Sequence, residues 1–259
     1  MNINELFSLK DKCAVVIGGA GKVGFPMAQA LAEAGAKVFI GSRDESNFQS
    51  AAQMLRERGH DALGIFIDHS DEKSLEKSLE EITALSKTPD IMINASCSRP
   101  MKKFFEDTPE NWDLSMAENS RGIFLSSKIF GKAMCEAKNG SIIHLSSIYG
   151  ITGPDMNIYK NCDFETEPDY AFIKGGIISF TKYLASYFSS CGVRVNCISP
   201  GGIFNNQPEP FLSNYVSKTL TKRMGSSDDL KGITVFLASE ASAYITGVNI
   251  PVDGGWTAI

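Results

Sequence analysis

The chain has 259 residues, is 43% hydrophobic and carries a formal net charge of −5, which suits one large α/β domain spanning 1–259 with a fully buried core. Mild acidity without any basic block argues against nucleic acid and anionic membrane as partners and leaves a small polar molecule as the expected ligand. Six cysteines and three histidines lie scattered without Cys-x-x-Cys or any Cys/His cluster, so neither a disulfide framework nor a metal site is expected.

Seven short apolar runs alternate with amphipathic stretches. The first, 14–17, leads into Gly18-Gly19-Ala20-Gly21-Lys22-Val23-Gly24 and a helix predicted over 23–34. Glycines between strand and helix permit close backbone approach, and the free N–H groups and dipole at the helix start suit a pyrophosphate. The strand at 37–40 is followed by Gly41-Ser42-Arg43-Asp44 and a helix over 45–58. Arg43, with Lys22, can hold a 2′-phosphate by charge-assisted bonds, which favours NADP(H); Asp44 stands about 20 residues past the glycines, where a ribose-binding acid belongs, and keeps NAD(H) open.

A strand at 63–67 ends on Asp68-His69 before a helix over 71–86, and a strand at 90–93 ends on Asn94-Ala95-Ser96-Cys97. A long helix over 112–137 contains Asn119. The strand at 141–145 includes His144, expected to be structural, and ends on Ser146-Ser147. A polar segment, 148–169, leads to a helix over 170–189 that opens on Tyr170-Ala-Phe-Ile-Lys174. This spacing sets a phenol and an ammonium one turn apart, so the two can act as a unit. None of the other six tyrosines has a lysine four residues on. The strand at 194–198 runs into Pro200-Gly201 and a polar stretch, 202–225; a helix over 227–237 and a strand over 248–252 complete the alternation. Such βαβ order predicts a doubly wound parallel sheet of seven strands with helices on both faces. No apolar run approaches about 18 residues and the first residues show no charged-then-apolar pattern, so a soluble, cytoplasmic protein is expected.

In order and context, Asn119, Ser147, Tyr170 and Lys174 resemble the short-chain dehydrogenase/reductase family, whose pattern can be followed from residue 12 to residue 255. The resemblance implies a Rossmann-like fold and an NAD(P)-dependent interconversion of a secondary alcohol and a ketone. Growing alkoxide charge needs a hydrogen-bond donor and a proton source. By resemblance Ser147 orients the carbonyl, Tyr170 supplies the proton, Lys174 favours the phenolate and bonds the nicotinamide ribose, and Asn119 holds a relay water. The family's cofactor contacts carry over to Gly18, Gly21, Lys22, Val23 and Gly24, to Ser42 and Arg43, to Asp68 and His69, to Asn94, Ala95 and Ser96, and to Pro200, Gly201 and Ile203. Ser42 stands where NAD-selective relatives carry an aspartate. The last strand resembles one that packs across a tetramer interface, so a homo-oligomer is expected.

The chain also departs from the family. The glycines are spaced Gly-x-x-Gly-x-x-Gly rather than Gly-x-x-x-Gly-x-Gly, Ile17 replaces a threonine, only the first residue of Asn94-Ala-Ser-Cys matches, and 148–169 is longer by roughly ten residues. That segment is either a substrate cover or a surface loop; Tyr149 and Tyr159 in it, with Asn205 and Gln207 downstream, are the candidate substrate contacts. Its polarity is similar to that of members placed in bacterial surface-glycan and flagellin-glycan sugar pathways, which points to a sugar or nucleotide-sugar. The competing readings are a 3-oxoacyl-thioester reductase and a catalytically silent dinucleotide-binding regulator.

Overall fold

The computed structural model describes residues 1–259. Strands β1 (Cys13–Ile17), β2 (Lys37–Ser42), β3 (Ala62–Phe66), β4 (Ile91–Asn94), β5 (Gly140–Leu145), β6 (Val193–Pro200) and β7 (Asn249–Val252) form one sheet in the order β3-β2-β1-β4-β5-β6-β7, with every pairing parallel. Strands covered on both faces must be apolar on both, and all five residues of β1 are buried. Alternate side chains divide between two cores. Ala14 and Val16 pack with Met27 and Leu31 of α2 (Gly24–Glu33), Phe48 and Leu55 of α3 (Glu45–Glu57) and Leu237. Val15 and Ile17 pack on the other face with Leu75 and Ile82 of α4 (Glu72–Leu85) and with Phe130 and Leu184.

Parallel order places every strand's C-terminal end on one edge, and the winding reverses between β1 and β4, which opens a crevice there. The seven strands stand where the apolar periodicity places them, to within two residues, and so do the helices on both faces except two. That expected over 227–237 opens as a 3₁₀ turn, Ser227–Leu230, and is α-helical only from Lys231. The expected helix over 112–137 differs as well. It is α5 (Pro109–Ser115), a π-helical turn (Met116–Ser120) and α6 (Arg121–Ala137); Thr108 caps α5, with Pro109 in its first turn, so it starts before the amphipathic stretch does. Two short helices, at Ile3–Phe7 and Phe211–Lys218, were not expected; counting both, α7 is Pro168–Tyr187, α8 is Phe211–Lys218 and α9 is Lys231–Ala238. No helix is long and apolar enough to cross a membrane.

His144 ties the sheet to two helices. Its ring is fully buried, with Nε2 at 3.0 Å from Ser127 Oγ of α6 and Nδ1 at 3.0 Å from Thr181 Oγ1 of α7. Burial pushes its pKa down to about 4. The folded state therefore holds the neutral ring while the unfolded chain takes up a proton below about 6.5. Stability from this ring is complete above pH 6.5 and is lost as pH falls toward 4, by on the order of 3 kcal/mol. Urea unfolding of wild type and His144→Asn at pH 7 and pH 4.5 should show a smaller acid loss in the variant; equal losses would remove His144 as the cause.

Candidate active site

A cavity of about 330 Å³ opens at the C-terminal edge of the sheet. The β5–α7 stretch supplies Ser147, Tyr149, Tyr159, Tyr170 and Lys174 to its wall; the loop after β4 supplies Ala95, Cys97 and Arg99; the chain after β6 supplies Pro200, Gly201, Ile203 and Gln207. Three of the four expected catalytic side chains thus share one surface. Lys174 is buried and its ammonium donates to the carbonyl of Leu145 at 2.9 Å, while Ser146 Oγ donates back to the carbonyl of Lys174 at 2.7 Å. The Nζ lies 5.4 Å from the centre of the Tyr170 ring. Ser147 is extended and caps the short turn Ile148–Gly150, accepting from Tyr149 N.

Asn119 does not line the cavity. It sits in the π-turn, where its amide accepts from Ser98 N at 2.8 Å and donates to Ser98 O at 3.0 Å and Ser115 Oγ at 3.1 Å. Ser115 donates in turn to the buried carboxylate of Asp169, which lies in the first turn of α7 where the helix dipole favours an anion. Asn119 therefore joins the loop after β4 to the helix that presents Tyr170.

The glycine turn satisfies the geometry of an anion cradle. Gly18 has φ +75°, and a Cβ there would lie 2.7 Å from Ser96 N; one at Gly24 would lie 2.2 Å from Gly18 O. The N–H groups of Lys22, Val23 and Gly24 make no hydrogen bond within the protein, and Val23 gives α2 no side-chain cap, so a phosphate fits the donors that this turn leaves open. Gly21 meets only Gly18 O, at 3.2 Å. Ser42 Oγ accepts from Asp44 N. Arg43 pairs with Glu118 at 3.1 Å. Asp44 caps α3, accepting from Ser46 Oγ and Asn47 N.

Burial raises the Asp68 pKa, but hydrogen bonds from Ser70 outweigh it and hold the carboxyl below its usual range. His69 is turned inward, 3.3 Å from Asn94 Nδ2, and burial pushes its pKa down to about 4. Asn94 also donates to Ser126 and accepts from Ser96 N. The rings of His69 and the amide of Asn94 are thus spent inside the protein, where they set the end of β4.

Segment 148–169 packs on α8: Ile158, Tyr149, Phe211, Tyr215, Met224 and Trp256 form a buried cluster. Tyr149 and Tyr159 join their hydroxyls at 2.8 Å; burial, first, and the neighbouring phenol, second, raise Tyr149, so it stays protonated at neutral pH. Asn205 is exposed outside the cavity, and Gln207 uses both ends of its amide on its own loop, at Ile203 O and Asn205 N. The reading from residues missed Arg99, whose guanidinium carbon stands 4.3 Å from the centre of the Tyr170 ring, and Tyr215, whose hydroxyl accepts from Gly202 N. The signal available for Arg99 was a lone cation just beyond the C-terminal end of a parallel strand.

Known proteins resemble this chain along nearly its whole length. A family model described as Enoyl-(Acyl carrier protein) reductase matches residues 19–257. The chain is 33% identical to the 2,5-dichloro-2,5-cyclohexadiene-1,4-diol dehydrogenase LinX of Sphingobium indicum, over 96% of this chain and 97% of that one. It is 31% identical to the 3-oxoacyl-[acyl-carrier-protein] reductase FabG of Chlamydia trachomatis, over 95% and 98%. Among solved structures, a gluconate 5-dehydrogenase from Burkholderia cenocepacia in complex with NADP and tartrate superposes with a TM-score of 0.91 at 25% identity, covering 100% of both chains.

The cradle predicts a graded response to added methyl groups. Gly24→Ala should weaken NADPH binding at least about tenfold through the clash with Gly18 O, whereas Gly232→Ala, whose Cβ meets nothing within 4 Å, should leave it unchanged. Fluorescence titration of bound NADPH measures both; equal affinities would remove the turn from the cofactor site.

Proposed function

The chain belongs to the short-chain dehydrogenase/reductase family, and on that premise we propose that it interconverts a secondary alcohol and a ketone on a polar, sugar-type substrate, using NADP(H) in preference to NAD(H). The observation that carries the reading is the shared wall: the hydroxyls of Ser147 and Tyr170 line one cavity, with the Lys174 ammonium fixed behind the phenol.

The amides of Lys22, Val23 and Gly24 would hold the pyrophosphate, and Pro200, Gly201 and Ile203 would flank the nicotinamide. Bound there, the dinucleotide supplies or accepts the hydride. Ser147 donates to the substrate oxygen and orients it. In reduction Tyr170 gives its proton to the developing alkoxide, and Lys174 stabilises the phenolate left behind; in oxidation the phenolate takes the proton back. Asn119 keeps the loop after β4 docked on α7, and a relay water held by this residue has to use its backbone, because its amide is already bonded.

Support for NADP(H) comes from two side chains. Asp44 is turned onto α3 as its cap, with Oδ1 accepting from Ser46 and Asn47, while Arg43 has only one nitrogen engaged, with Glu118. Exposed Phe124, Phe172, Tyr183 and Tyr187 on α6 and α7 support a homotetramer, and six free thiols suit the cytoplasm. We read 1–259 as one domain in which 148–169 and 202–225 cover the substrate.

Identity to an acyl-carrier-protein reductase favours a 3-oxoacyl thioester as the second reading. Pooled keto-sugars and pooled 3-oxoacyl thioesters, each with NADPH or NADH, separate the two. Turnover in the sugar pool is expected, and turnover with thioesters alone would overturn the substrate class. Tyr170→Phe should lower turnover about 10²- to 10⁴-fold with NADPH binding retained; unchanged turnover would sink the assignment of Tyr170 as proton donor, and NADPH binding by wild type without turnover in either pool would leave a dinucleotide-binding regulator as the better reading. Arg43→Ala should raise KM for NADPH roughly tenfold while moving that for NADH little, and equal shifts would sink the preference.

A further inference from the structure

The cavity carries a charge pattern that the hydride chemistry leaves unused. Its only charged lining side chains are Arg99 and Lys174, and no carboxylate lines it. Lys174 is buried and bonded to Leu145 O. Arg99 is placed differently. Its side chain is 51% exposed, one face lies over Tyr170, and only Nη1 is engaged, donating to Glu167 Oε2 at 2.9 Å. Glu167 is the N-cap residue of α7, with Tyr170 three residues on, so it holds the guanidinium from one edge beside the reacting phenol. The other edge keeps a pair of donors in the planar spacing that matches a carboxylate.

We propose that Arg99 binds a carboxylate of the substrate, so that the enzyme acts on sugar acids in preference to neutral sugars. This rests on the polyol and keto-sugar reading above and narrows it. A wall with two cations and no carboxylate among its lining side chains favours an anion, Glu167 standing outside the lining on one edge of Arg99. The cavity holds about 330 Å³ in all, the small end of the range of about 300–1,000 Å³ for ligand pockets. The nicotinamide proposed beside Pro200, Gly201 and Ile203 would take part of it, so the remainder suits a six-carbon acid better than a nucleotide-sugar. Tyr149 and Tyr159, both protonated, remain as neutral partners for hydroxyls. Glu167 is a positioning residue; it touches Arg99 rather than the substrate.

The test uses enzyme saturated with NADP⁺, gluconate as the anionic probe and sorbitol as its neutral counterpart, at constant ionic strength, with calorimetric binding and initial rates both recorded. Wild type should bind gluconate at least tenfold more tightly than sorbitol. Arg99→Gln should reduce that ratio roughly 10- to 100-fold, as removal of a charged hydrogen-bond pair does, acting on Kd and KM more than on kcat; Arg99→Lys should restore part of it. Glu167→Gln should keep the preference. Equal affinity of wild type for the two probes, or an unchanged ratio in Arg99→Gln, would overturn the assignment. Turnover of either probe speaks for the oxidoreductase reading alone, so turnover without preference sinks only the role of Arg99, and preference in binding without turnover sinks only the reaction.

Discussion

Everything in the site depends on one buried charge. The Lys174 ammonium is removed from water almost completely and donates to the last carbonyl of β5. A charge so placed is expensive unless it is bonded, and here the bond runs both ways, because Ser146 closes onto the carbonyl of Lys174 itself. The end of β5 and the first turns of α7 are therefore clasped. Gly150 permits the approach, since a Cβ there would lie 2.6 Å from Lys174 O. Ser147 leaves the clasp on the strand side and Tyr170 on the helix side, so their separation is set by a rigid joint rather than by loops.

How much of this could be read from the residues follows from what each signal encodes. Strand positions were legible because a two-sided parallel sheet writes itself as uninterrupted apolar runs. The Tyr170–Lys174 pair was legible because its geometry is local, one turn of one helix. Asn119 was found by its context, but its bonding was not, because Ser98 lies in the loop after β4 and Ser115 just before a π-turn, and no simple period announces such a turn.

Arg99 shows the other limit. Its significance comes from meeting α7 across 68 residues of intervening chain, and nothing in Ser-Arg-Pro announces that meeting. His69 was read as facing the cofactor, whereas its ring points into the core beneath Gly122, where a Cβ would stand 2.4 Å from Nδ1. The resemblance made His69 a cofactor contact, and the close packing of α6 on the sheet takes up its ring.

The two segments that roof the cavity are stapled together. Asn214 of α8 donates to the carbonyl of Ile158 at 3.1 Å, Lys218 pairs with Asp155 at 2.8 Å, and Ile158 is buried against Phe211 and Tyr215. The cavity-facing side chains of each segment are held by the other, in one cluster that also takes in Trp256. A residue inserted into or removed from 148–169 would shift Asp155 and Ile158 away from their partners on α8, so the two segments have to change together to keep their fit. A graft that moves one segment alone into a relative would carry its chemistry but not its shape.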